Sequence, residues 1–143
     1  MNATEVDDIY QAAIMDRARR PRHKGLLDIS DVEVQETNPL CGDRVTLTLR
    51  WGEERRIGAV GYHARACAIC VAATDLMAEM IPGMTADEAR ETAQSFERRL
   101  RAAEPIGDTG VLAALRPFQP LQDVPSRIGC ATLGWRALVA ALD

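Results

Sequence analysis

Arg44-Val45-Thr46-Leu47-Thr48-Leu49-Arg50-Trp51 alternates without a break: Val45, Leu47, Leu49 and Trp51 fall on one side, and Arg44, Thr46, Thr48 and Arg50 on the other. A period of two marks a strand with one face on a core and one in water. Gly52-Glu53-Glu54 supplies a turn, and Arg55–Ala64 returns as a strand through Ile57, Val60 and Tyr62. Upstream, Asp31–Glu36 alternates in the same way, with Val32 and Val34 on one side. Three strands so close in sequence, joined by short connections, pair as an antiparallel meander.

Helical periods flank this sheet. Asp7–Arg20 carries Ile9, Ala12, Ala13 and Ile14 on one face and Arg17, Arg19 and Arg20 in its last turn, before Pro21. After Cys67 the pattern Ile69, Ala72, Ala73, Leu76, Met80 is helical until Pro82-Gly83. Thr85 followed by Glu88 forms a capping box for a helix running to about Ala103. Pro117, Pro120 and Pro125 break the next stretch, leaving one short helix at Val111–Leu115. A last helix over Ile128–Leu142 has Ala131, Trp135, Leu138 and Leu142 on one stripe. Residues 1–143 thus read as one α+β domain, a three-stranded antiparallel sheet with helices packed on one face.

The chain of 143 residues has 17 Lys+Arg against 21 Asp+Glu, a net charge of −4, which argues against a general nucleic-acid binder. With 47% hydrophobic and 27% charged residues it is not a disordered tail, and no apolar run approaches the ~20 residues of a membrane span. The acidic start Met1-Asn2-Ala3-Thr4-Glu5-Val6-Asp7-Asp8 is not a signal peptide, so the expected compartment is the cytoplasm. There the four cysteines are not expected to pair as structural disulfides.

Three of them stand where elements start. Cys41 lies in Asn38-Pro39-Leu40-Cys41-Gly42-Asp43, a tight loop before a strand, with the Asp43 carboxylate two residues on. A thiolate and a carboxylate presented together are half of a zinc site. Cys67 opens one helix and Cys130 lies in the first turn of another, where the helix dipole favours a thiolate. Core cysteines would instead fall on apolar stripes, so ligands gathered from distant segments at one end of the domain fit the pattern better. Cys67-Ala68-Ile69-Cys70 also matches a redox C-x-x-C, but a thioredoxin-like domain needs parallel crossovers that a meander lacks. Cys70 reads as a small apolar residue of the first turn. His23 and His63 are the only histidines; His63 lies near Cys67 in sequence but reads as a surface or strand-face residue.

Asn38-Pro39-Leu40-Cys41-Gly42-Asp43-Arg44-Val45, Cys67-Ala68-Ile69 opening a helix, and Pro125-Ser126-Arg127-Ile128-Gly129-Cys130-Ala131-Thr132-Leu133-Gly134-Trp135 together resemble the IscU/NifU-type iron–sulfur assembly proteins, and among them the SufU branch. Arg19-Arg20-Pro21-Arg22 resembles the family too, so the match covers nearly the whole chain. Glu104–Gln122 looks like the insertion that SufU carries relative to IscU. Gly129 stands where IscU has a histidine, and Val124-Pro125-Ser126-Arg127-Ile128 replaces the chaperone-binding segment of IscU. Ala64-Arg65-Ala66 stands where the family usually has glycines, and Cys70-Val71-Ala72-Ala73 where it is serine-rich.

The resemblance implies a three-stranded antiparallel sheet with helices on one side. It also implies a metal site of Cys41, Asp43, Cys67 and Cys130, with Arg127 as the supporting cation. In SufU-like proteins the metal is zinc, and the first cysteine, here Cys41, accepts persulfide sulfur from a PLP-dependent, SufS-like cysteine desulfurase. The resulting expectation is a sulfurtransferase-like accessory protein of the iron–sulfur assembly machinery. One alternative is a scaffold carrying a labile [2Fe–2S] cluster on the same ligands. The other is a structural zinc protein, although structural sites are mostly closed and cysteine-rich.

Overall fold

The computed structural model describes residues 2–143. Its sheet runs β1 (Val32–Thr37), β2 (Arg44–Trp51), β3 (Ile57–Arg65), in that spatial order and antiparallel throughout. The expected meander and α+β architecture are therefore present. In β2, Val45, Leu47 and Leu49 are fully buried, while Arg44 and Arg50 face water. Thr48 departs from the alternation. It sits on the outer face yet is buried, because the segment at Gly25–Leu27 crosses above it. The Thr48 hydroxyl accepts from the Leu27 N–H at 3.0 Å and donates to the Gly61 carbonyl at 3.0 Å. Any side chain at position 61 would collide with the Gly25 carbonyl oxygen, so the crossing requires glycine there.

The third strand starts at Ile57 rather than Arg55. Glu53–Arg55 is a tight 3-10 turn in which Glu54 and Arg55 both have positive φ. Trp51 then pairs with Ile57 but Arg50 with Ala59, so Gly58 is an extra residue, a bulge. That one-residue slip buries both Ile57 and Tyr62, which strict alternation would send to opposite faces.

The helices are α1 (Ala3–Arg19), α2 (Ala68–Met80), α3 (Ala86–Arg101) and α4 (Ile128–Leu142). α1 starts earlier than its apolar face suggests, because the Asn2 side chain accepts from the Glu5 N–H at 2.9 Å and caps it. The Thr85–Glu88 capping box of α3 is formed in both directions. Between α3 and α4 the single short helix expected at Val111–Leu115 is replaced by 3-10 turns over Val111–Asp123, running through Pro117 and Pro120. The burial pattern explains this: Leu112, Leu115 and Phe118 are the buried residues, and a spacing of three is the period of a 3-10 turn. Phe118 meets Phe96 edge-on at 6.1 Å, and Phe96 lies 5.8 Å from Trp135, joining this segment to α3 and α4. α4 lies across β1 and β2, and α2 packs beside it against β3. Among the described residues no helix is long and apolar enough to cross a membrane.

One buried charge holds α1 in place. Asp75, in the middle of α2, is fully buried. Its Oδ2 accepts from Arg17 Nε at 2.7 Å and from the Arg22 N–H at 2.9 Å. Its Oδ1 accepts from the His23 N–H at 2.9 Å and the Tyr62 hydroxyl at 2.8 Å. Burial opposes ionisation of Asp75, but these donors outweigh it and hold the carboxyl below its usual range. Burial and the bond to Asp75 push the Tyr62 hydroxyl upward, so it stays a proton donor.

Candidate metal centre

Three chain segments converge at the end of the sheet where β1 turns into β2. The β1–β2 loop is closed by the Asn38 N–H donating to the Asp43 carbonyl at 2.8 Å and the Gly42 N–H donating to the Asn38 carbonyl at 2.8 Å. The Asn38 side chain accepts from the Leu40 N–H at 3.0 Å, an Asx-type turn. Gly42 adopts φ +75°, a conformation that an L side chain resists. The loop leaves Cys41 exposed at its tip. Asp43 lies two residues before Val45 on the same parity, so the strand's alternation turns its carboxylate inward toward the helices, where it is 8% exposed.

Cys67 is the N-cap residue of α2, half-buried, and its side chain makes no capping hydrogen bond. Cys130 lies in the first turn of α4 and is buried. One ligand atom each from Cys41, Asp43 and Cys130 lies within 4.8 Å of the others. Cys67 lies outside that three-donor group but near enough for its thiol to oppose ionisation of Cys130. All four expected donors are thus neighbours, three as a tight group and Cys67 at its edge. Burial first, and then the Cys67 and Cys41 thiols, push Cys130 well above the ordinary thiol range.

The donor set fits a soft divalent metal. Thiolates select zinc or iron–sulfur over magnesium or calcium. Asp43 Oδ2 is buried and has no hydrogen-bond partner among the described residues. An orphaned buried acceptor costs about 1–3 kcal/mol, and a cation among the thiols would supply its missing partner.

The other expected residues fall nearby or apart. Arg127 is exposed, caps α4 and lines a groove of ≈ 640 Å³ with Cys67, Tyr10, Ile69 and Leu121, without contacting the thiol group through a hydrogen bond. Cys70 is fully buried one turn below Cys67, and burial pushes its thiol up to about 12. It is not part of the three-donor group. His63 is exposed on β3 opposite Thr46, and His23 lies 3.3 Å from Glu79, so neither belongs to the site. Sequence reasoning noted Gly129 only as a departure from IscU and missed its packing role. A Cβ there would sit 2.9 Å from Asn38 Nδ2, so the absence of a side chain lets α4 press directly against the residue that shapes the Cys41 loop. The only advance signal was that glycine in the first turn of a helix is unfavourable unless something approaches it closely.

A meander covered by helices on one face, with thiols and a carboxylate gathered at one end, defines an α+β domain with a candidate metal centre. The chain belongs to the NifU-like N-terminal domain family, which matches residues 9–143. It is 32% identical to the zinc-dependent sulfurtransferase SufU of Bacillus subtilis over 133 residues, covering 93% of this chain and 88% of that protein. It is 31% identical to the iron–sulfur cluster assembly scaffold protein IscU of Streptococcus pyogenes over 147 residues, covering 99% of this chain and 87% of that protein. Among solved structures, the NifU-like protein (N-terminal) of Brucella abortus superposes with a TM-score of 0.85 at 28% identity, covering 96% of this chain and 94% of that one. SufU of Fervidobacterium islandicum gives 0.84 at 27% identity, covering 99% and 100%. The resemblance drawn from the cysteine motifs is borne out.

Proposed function

We propose that this chain, with residues 1–143 acting as one domain, is a zinc-binding sulfur acceptor. It takes persulfide sulfur from a PLP-dependent cysteine desulfurase and passes it into iron–sulfur cluster assembly. Cys41, Asp43, Cys67 and Cys130 hold the metal, Cys41 is the acceptor, and Arg127 beside Cys67 offsets negative charge. The observation that carries this reading is a contrast within one site. Cys41 is exposed on a loop, whereas Cys130 and Asp43 are only 7% and 8% exposed. A thiol that must meet a cysteine of another protein has to reach solvent without unwinding a helix, and Cys41 alone satisfies that. The name of the Bacillus relative, a zinc-dependent sulfurtransferase, supports the same reading.

Bound zinc would hold the thiols ionised at neutral pH. The Cys41 thiolate attacks the outer sulfur of the donor's cysteine persulfide. The donor's S–S bond breaks, its cysteine leaves as a thiolate, and a new S–S bond forms on Cys41, with no external oxidant or reductant consumed. The Asn38 clasp and the positive φ of Gly42 aim the Cys41 side chain outward during this exchange.

The test uses a cysteine desulfurase, cysteine and a thiol reductant, with sulfide and alanine measured. Wild type raises turnover. Cys41→Ala abolishes the gain with an unchanged circular-dichroism spectrum. A Cys41→Ala protein that stimulates like wild type overturns the acceptor role. A scaffold reading also has support: an aspartate among three thiols suits a cluster that must be handed on, and the Streptococcus relative is named a scaffold. In that reading a [2Fe–2S] cluster is cargo on the same four residues. Iron with acid-labile sulfide, in place of one zinc, in anaerobically purified protein would favour it.

A further inference from the structure

The last row of the sheet before the thiol site is Thr37–Arg44–Arg65, with the two arginines direct partners across the β2–β3 pairing. Like charges set opposite each other on adjacent strands are destabilising. Both side chains are exposed, and among the described residues neither takes part in an ion pair. Arg17, Arg56, Arg90 and Arg136 by contrast each reach a carboxylate. Arg44 and Arg65 line a shallow pocket of ≈ 420 Å³ together with Cys41, Gly42, Asp43 and Ala66. Two uncompensated guanidinium groups therefore stand beside the exposed thiol of a chain whose net charge is −4. On the other side of Cys41, Leu40 is 88% exposed at the loop tip.

We infer that Arg44 and Arg65 form a cationic docking edge that recognises an acidic surface of the sulfur-donor protein, next to its persulfide-bearing cysteine. This deepens the acceptor reading above and rests on it. The occupant is a protein surface rather than a small free anion, because a small anion would leave Leu40 in water, whereas a protein face covers an apolar tip and its cationic rim together. Arginine is enriched at the energetically important positions of protein interfaces. Rim charges of this kind speed encounter and set orientation more than they change the chemistry.

The experiment titrates zinc-loaded protein into a cysteine desulfurase reaction at low and high salt. Arg65→Glu should raise the half-saturating concentration by about tenfold at low ionic strength, and Arg44→Glu/Arg65→Glu by more, with maximal stimulation nearly unchanged. The gap should shrink severalfold at high salt, where the Debye length falls to about 3 Å. Arg65→Lys should restore most of the affinity. Zinc content is measured throughout; if the double variant loses metal, Arg65→Glu alone decides. Arg65→Glu saturating like wild type while Cys41→Ala is inactive overturns the docking edge and leaves the acceptor reading standing. Cys41→Ala stimulating like wild type removes the acceptor reading itself. Competition by millimolar free glutarate at the low-salt condition, lost in Arg65→Glu, would show a small-anion site and also overturn the proposal.

Discussion

Replacing Asp75 by asparagine should destabilise the whole fold far more than its neutral, isosteric character suggests. The carboxylate uses both oxygens twice: Oδ1 for the His23 N–H and the Tyr62 hydroxyl, Oδ2 for Arg17 Nε and the Arg22 N–H. If Oδ2 becomes an NH2, Arg17 Nε–H and the Arg22 N–H lose their acceptor and face another donor; if Oδ1 does, the His23 N–H loses its acceptor and the Tyr62 hydroxyl must turn to accept. The guanidinium of Arg17, itself largely buried at 11% exposure, loses its buried countercharge and keeps only the exposed Glu79 carboxylate at 2.9 Å. Breaking a buried pair by removing one partner costs about 3–5 kcal/mol. For a domain of this size that is roughly 10–20 °C in Tm, measured by thermal denaturation at neutral pH. Tyr62→Phe, which removes one of the four donors, should cost only about 1 kcal/mol. The same carboxylate sets an acid limit. Its folded pKa lies below that of an ordinary aspartate, so its contribution is fully present above about pH 4 and is lost as pH falls through the lower folded value. Asp75→Asn should lack that part of the acid transition. A Tm for Asp75→Asn within ~2 °C of wild type would refute the account of how α1 is anchored.

Asp43→Ala should weaken zinc binding while leaving the helices intact, read by competition with a chromophoric chelator; unchanged affinity would remove Asp43 from the donor set. Stripping the metal should lower Tm by mass action yet leave the far-ultraviolet spectrum helical, because the sheet and α4 bury their own apolar faces; an unfolded metal-free protein would contradict this. Cys70→Ser should cost about 1–2 kcal/mol for a buried hydroxyl and leave desulfurase stimulation unchanged, so an inactive variant would move the acceptor to Cys70. Gly129→Ala gains about 1 kcal/mol of helix propensity but drives a methyl group against Asn38. The expected result is a net loss of about 1 kcal/mol and faster alkylation of Cys41, measured by mass spectrometry.

The limits of β2 and α4, the Thr85–Glu88 cap and the N-cap place of Cys67 could all be read from the chain, because each depends on a period or on a contact spanning a few residues. The donor types and their positions at element starts were readable for the same reason, and the inward turn of Asp43 follows from the parity of β2. Tertiary structure alone decided the rest. Asp75 looks like a lone polar residue in an apolar helix until Arg17, Arg22 and His23, between 52 and 58 residues away, close around it. The 3-10 run through Pro117 and Pro120 exists because Phe118 finds Phe96, a contact that local propensity does not encode. The pairing of Arg44 with Arg65 depends on strand register, and the seat of Asn38 on Gly129 depends on where α4 docks. Short-range interactions choose the elements and place thiols at their ends, while the burial of apolar surface between distant segments decides which of those ends meet.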